Sequence, residues 1–131
     1  MELEIFFAGN KKVNAKFKEF IVKTDQPVNG GGNGDDPSPF ELFLASLGTC
    51  AGIFVKSFCD QRNLPTDNIK IIEHVETDPV KHSVSKIGLE IILPVDFPEK
   101  YKNAVISAAD LCSVKRLIQN PPEFDVYTSI A

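Results

Sequence analysis

Pro37-Ser38-Pro39-Phe40-Glu41-Leu42-Phe43-Leu44-Ala45-Ser46-Leu47-Gly48-Thr49-Cys50 is the stretch that decides the fold. Ser38, Pro39 and Glu41 spell a helix start. The serine is an N-cap, the proline takes the first helical position where a missing N–H costs nothing, and the glutamate reaches back to the cap. The pattern predicts a central helix within 38–63, stopped before Pro65. From about Ser38 to Arg62 it would be ~38 Å long at 1.5 Å per residue. Between Leu42 and Phe58, apolar or small residues fall on nearly every face. A helix apolar all round is buried all round, and a chain this small can hardly cover it alone. An intertwined homodimer is therefore expected, with Gly48 and Gly52 one turn apart to admit another backbone.

Outward from the helix, the chain reads as one domain over 1–131. Residues 1–29 read as two or three antiparallel strands: Glu2–Ala8, a turn at Gly9-Asn10, then Val13, Ala15 and Phe17 alternating with polar neighbours, then Phe20–Val22. Residues 30–37 hold the glycine-rich run Gly30-Gly31-Gly32-Asn33-Gly34-Asp35-Asp36. A phosphate-cradling loop would follow such glycines with Lys-Ser or Lys-Thr. Two aspartates stand there instead, which repel phosphate, so a mobile turn-rich loop is expected. Residues 64–131 alternate again. Ile69, Ile71 and Val75 share one side of a strand, and Ile87, Leu89, Ile91 and Leu93 share one side of the next. Asp96-Phe97-Pro98-Glu99 resembles a second capping box, opening a helix striped by Tyr101, Val105, Ala108 and Leu111. A short helix over 113–119 and a closing strand over 123–130 complete an α+β fold with mainly antiparallel sheets.

Composition narrows the function classes. A net charge of −4, with twelve lysines and two arginines, argues against a general nucleic-acid binder. The most apolar stretch, Leu42–Val55, falls short of the roughly 20 residues a membrane span needs. No basic-then-apolar leader opens the chain, so a cytoplasmic protein without membrane or nucleic-acid partners is the expectation. Three scattered cysteines, Cys50, Cys59 and Cys112, make neither a disulfide scaffold nor a metal knuckle. His74 and His82 have no ligand spacing to them, so no metal and no cofactor is expected.

At about 100° per residue, Phe43, Leu47, Ile53 and Phe54, with Ser46 and Ser57, lie within about 60° of Cys50 on the helix. Cys50 thus faces an apolar, aromatic wall, and Phe43, Leu47 and Phe54 are the candidate substrate-pocket residues. Cys59 is turned about 180° away and reads as a packing residue or one near the surface. Cys112 lies between two helices, where the N–H groups of Ser113–Lys115 and the nearby Lys115 and Arg116 could stabilise a thiolate. From the residues alone, each cysteine could equally be a small buried apolar group.

The Pro37–Cys50 run, followed some sixty residues later by Leu111-Cys112-Ser113-Val114, resembles the OsmC/organic hydroperoxide resistance family. That resemblance implies an OsmC-like fold, an intertwined homodimer and an organic hydroperoxide reductase of oxidative stress. Cys50 would attack the peroxide, Cys112 would resolve the sulfenic acid as a disulfide, and an external dithiol would regenerate both. The chain departs from the family in two places. No arginine precedes Arg62, and Phe40 stands where the family has its first-turn glutamate. Glu41, one position later and facing away from Cys50, reads as the capping residue. A lysine could stand in for the arginine as a point charge without its bidentate fork. The alternative is an OsmC-like dimer without peroxidase activity, binding a small apolar ligand or acting as a slow redox sensor.

Overall fold

The computed structural model describes residues 1–131. The chain divides into two units, Met1–Ala45 and Ser46–Ala131, with the division inside the long helix.

In the first unit, β1 (Glu4–Phe7), β2 (Val13–Phe17) and β3 (Phe20–Val22) form an antiparallel sheet in chain order. Ile5 pairs with Ala15, and Ala15 with Val22. Gly9 and Asn10 turn the chain between β1 and β2 in left-handed conformations (φ 101° and 47°). The alternation in β2 places Asn14 outward, yet it is buried. Its Oδ1 accepts the Thr24 N–H at 3.3 Å, and the Thr24 hydroxyl donates to the Val13 carbonyl. The segment beyond β3 thus returns over β2, and the asparagine satisfies its backbone.

The loop over 30–37 is tied down, contrary to the mobility expected of it. Asp25 is fully buried beneath it and accepts N–H groups from Gln26 (2.7 Å), Asp35 (3.2 Å) and Asn33 (3.3 Å). Lys12 Nζ pairs with Asp35 at 2.7 Å, and Asn10 Nδ2 donates to the Gly31 carbonyl and to Asn33 Oδ1. A Cβ at Gly32 would lie 2.0 Å from the Gln26 carbonyl oxygen, so the tight return of the chain depends on this glycine. Burial pushes the Asp25 carboxyl up, but the Gln26, Asp35 and Asn33 N–H groups together outweigh it and hold the carboxyl below its usual range.

The helix α1 spans Pro39–Asp60, 22 residues or about 33 Å. Its start is the predicted capping box: the Ser38 N–H donates to Glu41 Oε1 at 3.0 Å, and the Glu41 N–H donates to Ser38 Oγ at 3.3 Å. Its end comes at Asp60, ahead of the expected position. The Leu64 N–H closes onto the Cys59 carbonyl at 2.9 Å while Asn63 turns left-handed (φ 53°), before Pro65. Although length and composition alone would let α1 span a bilayer, one side of it is built into the core of the second unit.

That unit continues with β4 (Lys70–Thr77) and β5 (Val84–Ile92), an antiparallel hairpin in which Ile71 pairs with Ile91 and Glu73 with Leu89. The helices α2 (Lys102–Ala109) and α3 (Ser113–Gln119) follow. Ala51, Val55, Phe58 and Cys59 form the core with Phe97, Val105 and Ala109, flanked by Ile69, Ile71, Leu89 and Ile91. The Arg62 guanidinium lies 3.7 Å over the Phe58 ring, and Tyr101 meets that ring edge-on.

Several expectations for this unit are corrected. Helix α1 is buried on one stripe only within the single chain; Phe40, Phe43 and Ile53 stay exposed. Gly48 and Gly52 face side chains of β4 in the same chain. A Cβ at Gly48 would meet Glu73 Oε2 at 2.9 Å, and one at Gly52 would touch Ile71 Cδ1 at 3.8 Å. The second capping box does not form: Glu99 begins a 3-10 turn and pairs with Lys102 at 2.6 Å, so its carboxylate never reaches back to residue 96. The buried stripe of α2 runs through Val105 and Ala109 to Cys112, leaving Leu111 exposed. Residues 123–130 form no strand, since neither sheet extends to them as a ladder partner.

Candidate functional site

The chemistry converges at the junction of α2 and α3, against the middle of α1. The turn Leu111-Cys112 ends α2, and Cys112 acts as the N-cap of α3, its sulfur accepting the Lys115 N–H at 3.4 Å. Cysteine is an unusual cap, since sulfur is a weaker acceptor than the oxygen of serine or aspartate. The Cys112 thiol is buried and points toward the Leu47 carbonyl at 3.8 Å. The next residue, Ser113, places its Oγ 3.4 Å from Cys50 Sγ. The turn that holds Cys112 thereby also reaches Cys50, far away in the chain.

Cys50 is half-buried, so solvent or a substrate can reach it. Its thiol is held down at about 7. The Ser113 hydroxyl is the largest cause, followed by the Val114 N–H, and the Cys112 thiol and the Ser113 N–H add to it against the opposing effect of burial. These leading causes are hydrogen-bond donors, none a cationic side chain. Arg62 is occupied at the far end of α1, donating to the Phe58 carbonyl at 3.0 Å. Lys115 Nζ is ion-paired with Asp110, so its charge is largely offset. Cys59 lies in the core, where burial pushes its thiol up, as expected of a packing residue.

Beside this turn lies a cavity of about 350 Å³. Leu47, Ile87, Leu89, Ile91 and Ile106 supply apolar walls, Cys112 opens into it, and Asp110 and Lys115 add polar groups. Of the three pocket residues expected from the sequence, Leu47 lines this cavity. Phe54 is half-buried outside its lining, and Phe43, in the first unit, stacks near Phe40 with ring centroids 6.0 Å apart. His74 is tied to Glu90 at 2.8 Å on the outer face of the hairpin, and His82 sits in its connecting turn. Glu41 is spent on the cap, which lowers its carboxyl through the Ser38 N–H and hydroxyl.

Two residues escaped the sequence reading. Ser113 was grouped with the donors around Cys112, and only the folded chain turns its hydroxyl to Cys50. Glu73 sits on the inward side of β4 with Ile71, its Oε1 without a hydrogen-bond partner, and burial pushes its carboxyl up. A period-2 pattern with Ile69, Ile71 and Val75 inward already places residue 73 inward, which is the signal that could have found it.

The fold and site together define a two-cysteine α+β protein with a low-lying thiol at Cys50 and an apolar cavity lined by Cys112 and not by Cys50. A family model described as "OsmC-like protein" matches residues 32–127, and the chain belongs to that family. No curated protein matches it. Among solved structures, the fold is shared with a Psychrobacter arcticus 273-4 protein whose proposed name is osmotic stress induced and detoxification response protein. The two are 18% identical, with a TM-score of 0.73 over 87% of this chain and 85% of that one. The organic hydroperoxide resistance protein OsmC of Legionella pneumophila is 15% identical, with a TM-score of 0.57 over 91% and 90% of the two chains. The organic hydroperoxide resistance protein OhrB of Bacillus subtilis is 17% identical, with a TM-score of 0.52 over 92% and 93%.

Proposed function

We propose that this protein reduces organic hydroperoxides with Cys50 as nucleophile and Cys112 as the resolving thiol. One observation carries the reading: Cys50 Sγ, its thiol held down at about 7, lies 3.4 Å from the Oγ of Ser113, the residue next to Cys112. At neutral pH about half of such a thiol is the thiolate, the form that attacks peroxide. The thiolate attacks the outer oxygen of the hydroperoxide, the O–O bond breaks, and the departing alkoxide takes a proton from water. The peroxide is reduced to an alcohol while the sulfur is oxidised to sulfenic acid. The Cys112 thiolate then attacks that sulfur, forming the S–S bond and expelling hydroxide. An external dithiol reduces the disulfide and becomes a disulfide itself. The apolar cavity of about 350 Å³ favours an organic peroxide over hydrogen peroxide. The test is consumption of cumene hydroperoxide with a dithiol reductant. Cys50→Ser should lower the rate at least about a hundredfold. Wild-type turnover no faster than that variant rejects the proposal.

The same cavity favours a second reading, in which the protein retains a small apolar ligand or senses redox state slowly. A ligand recovered from purified protein, together with no peroxide consumption, selects it.

We further infer that two copies pair. In the single chain Ile53 of α1 is 58% exposed, and Phe124, Val126, Tyr127 and Ile130 of the tail are more exposed still. Apolar side chains exposed in this number are covered when copies associate. Sedimentation should give twice the 14.4 kDa chain mass; a strictly monomeric species rejects the pairing.

A further inference from the structure

We propose that Ser113 is a catalytic residue whose hydroxyl donates a hydrogen bond to the Cys50 sulfur and holds it as the attacking thiolate. The proposal rests on the peroxidase reading above and adds the group that activates its nucleophile. A half-buried thiol beside apolar side chains favours its neutral form unless something favours the anion. The chain has no arginine before Arg62 to do this, and Arg62 is engaged with Phe58 and Tyr101. Ser113 is placed for the task. Its Oγ is 3.4 Å from Cys50 Sγ, a normal distance for a bond involving sulfur. Its backbone is fixed because residue 112 caps α3 and residue 113 begins it.

The charge balance around the pair supports a neutral donor. The titratable and charged groups on the elements around the two sulfurs are Cys112 itself, the ion pair of Lys115 with Asp110, the exposed Arg116 of α3, and Glu73 on β4, which is turned to Gly48. The lysine is matched by the aspartate, and burial pushes the glutamate's carboxyl up. No cationic side chain is among the causes that lower the Cys50 thiol, so the hydrogen-bond donors hold the anion. Ser113 contributes the strongest of them, with the Val114 N–H next. When Cys50 loses its proton to water, the serine hydroxyl changes from possible acceptor to donor and stays neutral. It can therefore withdraw without stranding a charge when Cys112 attacks the sulfenic acid.

The experiment is the pH profile of Cys50 alkylation by iodoacetamide from about pH 5 to about pH 9, read on the Cys50 peptide by mass spectrometry. The wild-type midpoint should lie near 7. In Ser113→Ala it should rise by about one unit, lowering the rate at pH 6 about tenfold. Ser113→Thr, which keeps the hydroxyl, should restore the wild-type profile. An Ala variant with an unchanged melting temperature and an unchanged midpoint overturns the proposal, as does a Thr variant that behaves like Ala. If Ser113→Ala fails to fold, Ser113→Gly decides by the same criteria, because it keeps the peptide N–H and removes the hydroxyl together with its Cβ. The titration needs no peroxide. A wild type that consumes no hydroperoxide but shows the midpoint shift overturns the peroxidase reading and leaves Ser113 as the group that sets the thiolate.

Discussion

Two places in this molecule aim hydrogen-bond donors at a single acidic group, with opposite results. Beneath the loop over 30–37, three peptide N–H groups enclose the Asp25 carboxylate. At the α2–α3 junction, a serine hydroxyl and neighbouring donors surround the Cys50 sulfur. For Asp25 burial is the largest influence, and it takes all the donors together to overcome it. For Cys50 the Ser113 hydroxyl is the largest influence, and burial ranks lower. An enclosed anion held by three peptide N–H groups fixes the chain around it. A half-open one keeps a free face, and that face can do chemistry. The difference lies in access more than in the kind of donor.

The largest break in this comparison is expected at Gly32. A side chain there runs into the Gln26 carbonyl, which is backbone and cannot swing away. Gly32→Ala should cost roughly 2–4 kcal/mol of stability, seen as a lower denaturant midpoint. It should leave Cys50 titrating near 7, since the donors to that sulfur come from residues 112–114. A Gly32→Ala protein with shifted Cys50 reactivity and unchanged stability would invert the roles assigned to the two regions.

A smaller effect separates the two groups by pH. The folded chain holds Asp25 below its ordinary value of 3.8, so its stabilisation is complete above that value and is lost as pH falls through the lowered folded one. Asp25→Asn should remove this acid dependence, flattening the melting temperature below about pH 4 relative to wild type. Parallel acid limbs in the two proteins would mean that Asp25 is not held down by its cage.

Legibility in the sequence followed the range of the interaction. Ser38 and Glu41 formed their reciprocal cap because both hydrogen bonds close within three residues. The same motif at Asp96 and Glu99 failed because Lys102, one turn further on, competes for the carboxylate. The β2 and β3 strands were readable from alternation, yet Asn14 broke the pattern to serve Thr24, a partner ten residues away. At the site, Cys50 and Cys112 stood out through the family resemblance. Ser113 did not, because a serine beside one cysteine says nothing about a second cysteine 63 residues earlier.

By itself the sequence determined the elements: which residues cap α1 and which alternate as strands. Those follow from torsional preference and hydrogen bonds between near neighbours, and they hold wherever the segment is placed. Only the tertiary structure decided which side of α1 the hairpin covers, that Gly48 and Gly52 receive β4, and that the first residue of α3 meets the sulfur of Cys50. Those outcomes depend on core packing between distant segments. Side-chain volumes set it jointly, and no local pattern records it.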